Sequence, residues 1–163
     1  MLQQKCPRAR PRESSSLLSI NMSEHACVQL GQKAVFIRDN RCLILEGSNK
    51  TDTWDLPGGR LHVGEELHEA FRRELREELG LKEFSVIATI DHDLWERTDD
   101  RPLICLVALL IRSVQSEIVL SAEHKSYRWV SSDEFSQYNF YSPAMPRMIR
   151  KGFEYLRLTN NGT

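Results

Sequence analysis

Between Gly59 and Leu81 the chain runs from a glycine pair through a short polar turn into a segment that must be both helical and strongly acidic. Apolar residues at Leu67, Ala70, Phe71, Leu75 and Leu79 recur with a helical period over 66–79, and Gly80 stands where a helix stop belongs. On a wheel of about 100° per residue, Glu77, Glu74 and Glu78 fall at roughly −60°, 0° and +40°. The stripe of Leu67, Phe71, Leu75 and Leu79 overlaps the edge of that arc, so three carboxylates lie where core meets surface. Ahead of the helix, Trp54-Asp55-Leu56-Pro57-Gly58-Gly59 rules out regular structure and lets the backbone approach a ligand closely.

Such an arrangement is costly without a cation. Two ionised carboxylates about 6 Å apart repel by roughly 3 kcal/mol at an effective dielectric near 20, as a ceiling. Arg73 reaches Glu69 or Glu77 one turn away, whereas Arg72 and Arg76 point off the arc. A divalent ion is the better counter-charge, since magnesium takes hard oxygen ligands from few side chains and completes its shell with phosphates and waters. An acidic helix alone is commonly just a solvated face; the glycine loop directly before it argues otherwise.

Gly59, Glu65, Arg73, Glu74, Glu77, Glu78 and Gly80, with Leu75 and Leu81 at aliphatic positions, stand at the spacing G-x5-E-x7-R-E-U-x-E-E-x-G-U. This resembles the signature of the Nudix hydrolases at every fixed position, a match that chance produces on the order of once in 10^8 windows. The resemblance implies an α/β fold, an α/β/α sandwich around a mixed β-sheet. It implies metal-dependent hydrolysis of a nucleoside diphosphate linked to another moiety, with Mg²⁺ as cofactor and Mn²⁺ as a substitute. It assigns Glu74, Glu77 and Glu78 to the metals with Gly58 as a main-chain carbonyl ligand, Arg73 to orienting the glutamates, and Glu65 to joining loop and helix. In MutT-type members a further loop glutamate before a Trp-containing strand acts as metal ligand or base. Here Glu123, ahead of Trp129, has that spacing, with His124 beside it as the competing proton carrier.

Trp54, Trp95, Phe140 and Tyr141 fall on or near expected loops and are candidates to stack on a nucleobase, while Trp129 reads as packing. Beyond the box, Glu96-Arg97-Thr98 occupies the region where the ADP-ribose class carries a proline and the diadenosine polyphosphate class a tyrosine. No coenzyme A motif precedes the glycine pair. A compact domain after Met22 with little insertion most resembles the small MutT-type members, and that resemblance implies a pyrophosphohydrolase of (deoxy)nucleoside triphosphates. The alternatives are hydrolysis of nucleotide-sugar, ADP-ribose or dinucleotide substrates, and a non-catalytic nucleotide-binding module.

The rest of the chain fits one domain. Its 163 residues carry a net charge of −1 with acids and bases interspersed, which speaks against bulk nucleic acid as a partner. The longest apolar run, 103–111, is about half of what crosses a bilayer and reads as a buried strand, so no membrane partner is expected. Cys6, Cys27, Cys42 and Cys105 show no metal spacing and suit a reducing, cytoplasmic setting. Residues 1–22 read as a disordered extension and 23–160 as the domain. Expected elements are strands at 32–38 and 41–46 joined by Asp39-Asn40, strands at 84–95 and 103–113 with a mobile connection, a loop at 121–126, a short strand at 127–130, a capped helix from Ser131, and a helix at 144–158. The resemblance also leaves room for a homodimer, with the 103–110 run facing either core or partner.

Overall fold

A computed structural model of the chain describes residues 28–49, 51–95 and 103–160. The expected disordered extension, the connection at 96–101, Cys6 and Cys27 lie outside the described residues.

The expected first hairpin is formed by β1 (Val28–Arg38) and β2 (Arg41–Gly47), with Ile37 opposite Cys42 and Arg38 opposite Arg41. Asp39 and Asn40 both adopt positive φ, 48° and 57°, the two-residue turn whose twist matches flanking strands. Beyond β3 (Trp54–Asp55) and α1 (Leu67–Leu79) come β4 (Ser85–Trp95), β5 (Leu103–Arg112), β6 (His124–Val130) and α2 (Ala144–Asn160). The strands form one sheet in the order β3-β2-β1-β5-β4, with β6 also pairing with β2. β1 and β5 run parallel, and the other pairings are antiparallel, so the sheet is mixed.

Strand alternation builds two cores. Ala34, Phe36, Leu43, Leu45, Leu109 and Ile111 face α1, where Phe71, Leu75 and Leu79 are buried. Val35, Ile44, Leu106 and Leu110 face α2 and meet Met145, Met148 and Ile149. Each of these side chains other than Ala34 contributes about 1.5–3 kcal/mol when fully buried. A Cβ at Gly152 would come within 2.6 Å of Val35 Cγ1, so α2 lies close on β1 there. Arg147 Nε and Lys151 Nζ donate to the two carboxylate oxygens of Asp91, at 2.8 and 2.7 Å, and tie α2 to β4. A helix, a mixed sheet and a second helix form the expected α/β/α sandwich.

Three local expectations need revision. Leu67 is 48% exposed, as is the whole first helical turn, 67–69, and the buried stripe begins at Ala70. β6 extends back to His124, as β2 offers backbone partners from Cys42 to Gly47. The helix expected after Ser131 is a single 3-10 turn, Phe135–Gln137. Ser131 does donate from its main-chain N and Oγ to Glu134, but Trp54 pairs with the next segment, its N–H donating to Asn139 O and its carbonyl accepting from Tyr141 N. The 103–110 run is the sheet interior, between β1 and β4. Among the described residues no helix is long and apolar enough to cross a membrane.

Candidate active site

α1 ends where its sequence directs. Gly80 takes φ 63°, its N–H donates to Arg76 O at 3.0 Å, and Leu81 N donates to Leu75 O at 3.1 Å, the closure of a left-handed glycine cap. That register turns Glu74 and Glu78 toward the loop, with side chains 16% and 11% exposed, and leaves Glu77 at 58%.

Arg73 draws the acids together. Its Nε donates to Glu65 Oε1 at 2.7 Å and Nη2 to Glu65 Oε2 at 3.1 Å; Nη1 donates to Glu74 Oε1 at 2.8 Å and Glu77 Oε2 at 3.2 Å. Nη2 also reaches the Arg60 carbonyl at 3.3 Å. Glu69, the other acid one turn away in sequence, takes no part in these bonds. The guanidinium bond holds the Glu65 carboxyl down at about 2, helped by the His62 main-chain N–H, and Glu65 in return raises Arg73. Glu65 thus joins the loop to the helix, as the resemblance implies.

Glu78 is fixed independently. Its Oε2 accepts from Gly58 N at 2.6 Å, and its Oε1 lies 3.0 Å from His124 Nε2. His124 Nδ1 is buried and has no hydrogen-bond partner among the described residues. Glu123 is exposed; its carbonyl accepts from Ser48 N at 3.1 Å and Ser48 Oγ at 2.6 Å, pinning the loop, and the residue lines a cavity of about 280 Å³ together with His124, Asp55 and Tyr141. Of the two neighbours, His124 is the one in contact with the acidic cluster.

A second cavity, about 270 Å³, is lined by Gly58, Gly59 and Glu78 together with the apolar Ile104, Leu106 and Met145 and with Tyr141. The two cavities share Asp55 and Tyr141. Burial pushes the Asp55 carboxyl up, against the opposing pull of Lys33, although 28% of its side chain still meets solvent. Of the four aromatic candidates, Tyr141 lines both cavities. Trp54 is 4% exposed and packs edge-on against Tyr138, and Phe140 bridges to Trp54 and packs on the same core. Trp95 closes β4, but its side chain lies outside the described residues. Trp129 packs edge-on against Phe36, as expected.

The glycine pair is tightly enclosed. A Cβ at Gly59 would sit 2.4 Å from the Glu74 carboxylate, and one at Gly58, where φ is 114°, would sit 2.3 Å from Gln32 O. The two sites should respond differently to alanine. Gly58→Ala meets backbone and a strained φ, and is expected to cost about 2–4 kcal/mol in urea unfolding. Gly59→Ala meets only the end of a flexible side chain, so it should displace Glu74 and lower turnover while costing under about 1 kcal/mol. Equal destabilisation of the two variants would contradict this reading.

Sequence reasoning did not single out Lys33 or Asp55. Lys33 is in phase with Val35 within a buried strand, and an inward lysine there was the available signal.

The pattern of the NUDIX domain matches residues 30–151. The asymmetrical bis(5′-nucleosyl)-tetraphosphatase of Sus scrofa is 27% identical over 117 residues, covering 70% of this chain and 79% of that protein. The 8-oxo-dGTP diphosphatase of Buchnera aphidicola subsp. Schizaphis graminum is 31% identical over 114 residues, covering 67% and 82%. The solution structure of the E. coli ORF135 protein superposes with a TM-score of 0.67 at 26% identity, covering 82% of this chain and 94% of that one. The NUDIX match spans most of the chain, from β1 into α2, and takes in the glycine loop and the glutamate helix: the chain belongs to the Nudix hydrolase family, whose members act on phosphoric anhydride bonds.

Proposed function

We propose that Glu74, Glu77 and Glu78, with the Gly58 carbonyl and Glu123, hold Mg²⁺, and that the chain is a MutT-like pyrophosphohydrolase of nucleoside triphosphates. The observation that carries this reading is that Glu78 and both loop glycines line the same cavity as the apolar wall of Ile104, Leu106 and Met145. A nucleobase on that wall, beside Tyr141, puts its phosphates at the carboxylates.

The donor chemistry fits a hard cation. Every ligand offered is an oxygen, and the close approach of the Glu74 carboxylate to Gly59 needs a residue without a side chain. Among the described residues no three acidic, imidazole or thiol groups are clustered as an ion cage, because the carboxylates are turned to Arg73, Gly58 N and His124. Those partners are donors that an ion would replace or share. Bound Mg²⁺ neutralises phosphate oxygens and lowers the pKa of a coordinated water.

The chain's own groups do the rest. Arg73 aims Glu74 and Glu77, His124 and Gly58 N hold Glu78, and Glu123, lining the adjoining cavity, takes the proton of the attacking water. The 8-oxo-dGTP diphosphatase among the relatives supports a triphosphate substrate. The cavity lined by Glu123 and His124, beside the one that holds Glu78, favours another reading, a substrate with a moiety on each side of the phosphates, as the name of the tetraphosphatase relative suggests.

A panel of nucleotides with Mg²⁺ or Mn²⁺ separates the two readings. Triphosphate cleavage is expected to release pyrophosphate and a nucleoside monophosphate. Preferred turnover of a dinucleoside polyphosphate or nucleotide sugar would instead select the second reading. Absence of turnover throughout, with nucleotide still bound, would identify a binding module.

A further inference from the structure

Lys33 is 9% exposed, yet all three donors of its ammonium are matched. Nζ donates to Asp55 Oδ2 at 2.9 Å, to Leu56 O at 3.0 Å and to Gly58 O at 2.7 Å. On either side of it, Gln32 N donates to Gly59 O at 2.9 Å and Ala34 N to Pro57 O at 2.7 Å. Three successive residues of β1 thereby hold four successive carbonyls, 56 to 59. Burying an ammonium is unfavourable unless it is fully paired, and an apolar side chain of the same length would pack as well. A lysine at this position therefore calls for a reason beyond packing.

The reason lies one residue away. The Gly58 carbonyl is held by Lys33, and the Gly58 N–H is held by Glu78 at 2.6 Å. The buried cation and the acidic helix thus meet across a single glycine, and Lys33, Gly58 and Glu78 line one cavity. If the loop shifts, Glu78 loses the bond that aims it. We propose that Lys33 is a positioning residue for the hydrolysis: by fixing the Gly58 carbonyl it sets the place of that carbonyl and of Glu78 relative to the ion. This role rests on the metal reading above. The competing account is that Lys33 only neutralises Asp55.

The test compares full-length Lys33→Met, the double variant Lys33→Met with Asp55→Asn, and Glu78→Gln. Each is measured for kcat, for KM, and for Mn²⁺ binding by calorimetry without substrate, well below its melting temperature. Lys33→Met is expected to lower kcat about 30- to 100-fold with KM changed less than about threefold, and to weaken Mn²⁺ binding about tenfold. The double variant should stay as impaired, since removing the Asp55 charge does not restore the hold on Gly58. Wild-type kcat and Mn²⁺ affinity in Lys33→Met overturn the assignment, and so does recovery in the double variant. Should Lys33→Met not fold, Lys33→Gln replaces it with the same expectations. Glu78→Gln separates the two ideas. If it binds Mn²⁺ and turns over normally, the metal reading falls; if it fails while Lys33→Met is normal, only the Lys33 assignment falls.

Discussion

Glu78→Gln is expected to lower turnover by about 10³-fold, at the upper end of what removing one charged stabiliser of a transition state costs. The side chain is the most enclosed among Glu74, Glu77 and Glu78, 11% exposed, and it is held from two sides by Gly58 N and His124 Nε2. Glutamine has the same shape, and its amide oxygen can still accept from Gly58, so fold and helix should survive. What disappears is one negative charge and the ability to bind an ion through either oxygen. In the wild-type protein, millimolar Mg²⁺ binding to the folded state should raise the melting temperature. In Glu78→Gln that rise should shrink or vanish. Turnover within about threefold of wild type, together with an undiminished Mg²⁺ response, would remove Glu78 from the metal site.

Arg73→Met is expected to lower turnover by about 10²-fold and to change the acid stability of the protein. Arg73 bonds Glu65, Glu74 and Glu77 at once, so its loss leaves three carboxylates without their shared cation and unties the loop from the helix. The pH signature follows from Glu65, whose carboxyl is lowered from 4.5 to about 2, first by Arg73 and then by the His62 N–H. A depressed carboxyl contributes stability that is present above the unfolded-state value and is lost as pH falls through the folded-state value. Wild-type melting temperature should therefore include a decline between pH 4.5 and about 2 that Glu65→Gln abolishes and Arg73→Met greatly reduces. An unchanged acid limb in both variants would show that the Arg73–Glu65 contact carries no weight in solution. Turnover within about threefold of wild type in Arg73→Met would remove Arg73 from the orienting role.

Local elements were legible where a local rule decides them. The Asp39-Asn40 turn, the Gly80 helix stop and the periodicity of α2 and, from Ala70 on, of α1 depend on residues within one or two turns of each other, and they stand as read. The helix expected at Ser131 failed because its local cap, Ser131 with Glu134, was present, but Trp54 captured the backbone at 139 and 141. Trp54 itself illustrates the limit. A tryptophan beside Pro-Gly-Gly reads as a pocket aromatic, yet it is the core residue against which Tyr138 packs, whereas Tyr141, two residues beyond Asn139, lines the cavities.

By itself the sequence determined the reaction class and the acidic face that we propose serves it. The spacing from Gly59 to Leu81 is short-range, and 3.6 residues per turn bring Glu74, Glu77 and Glu78 to one side whatever lies around them. Only the tertiary structure decided how those carboxylates are held. Lys33 meets Gly58 from 25 residues away, and His124 meets Glu78 from 46. Contacts at such separation depend on strand order and register, above all on β1 lying beside the glycine loop and β6 pairing with β2, and those are properties of the whole core that no local spacing encodes.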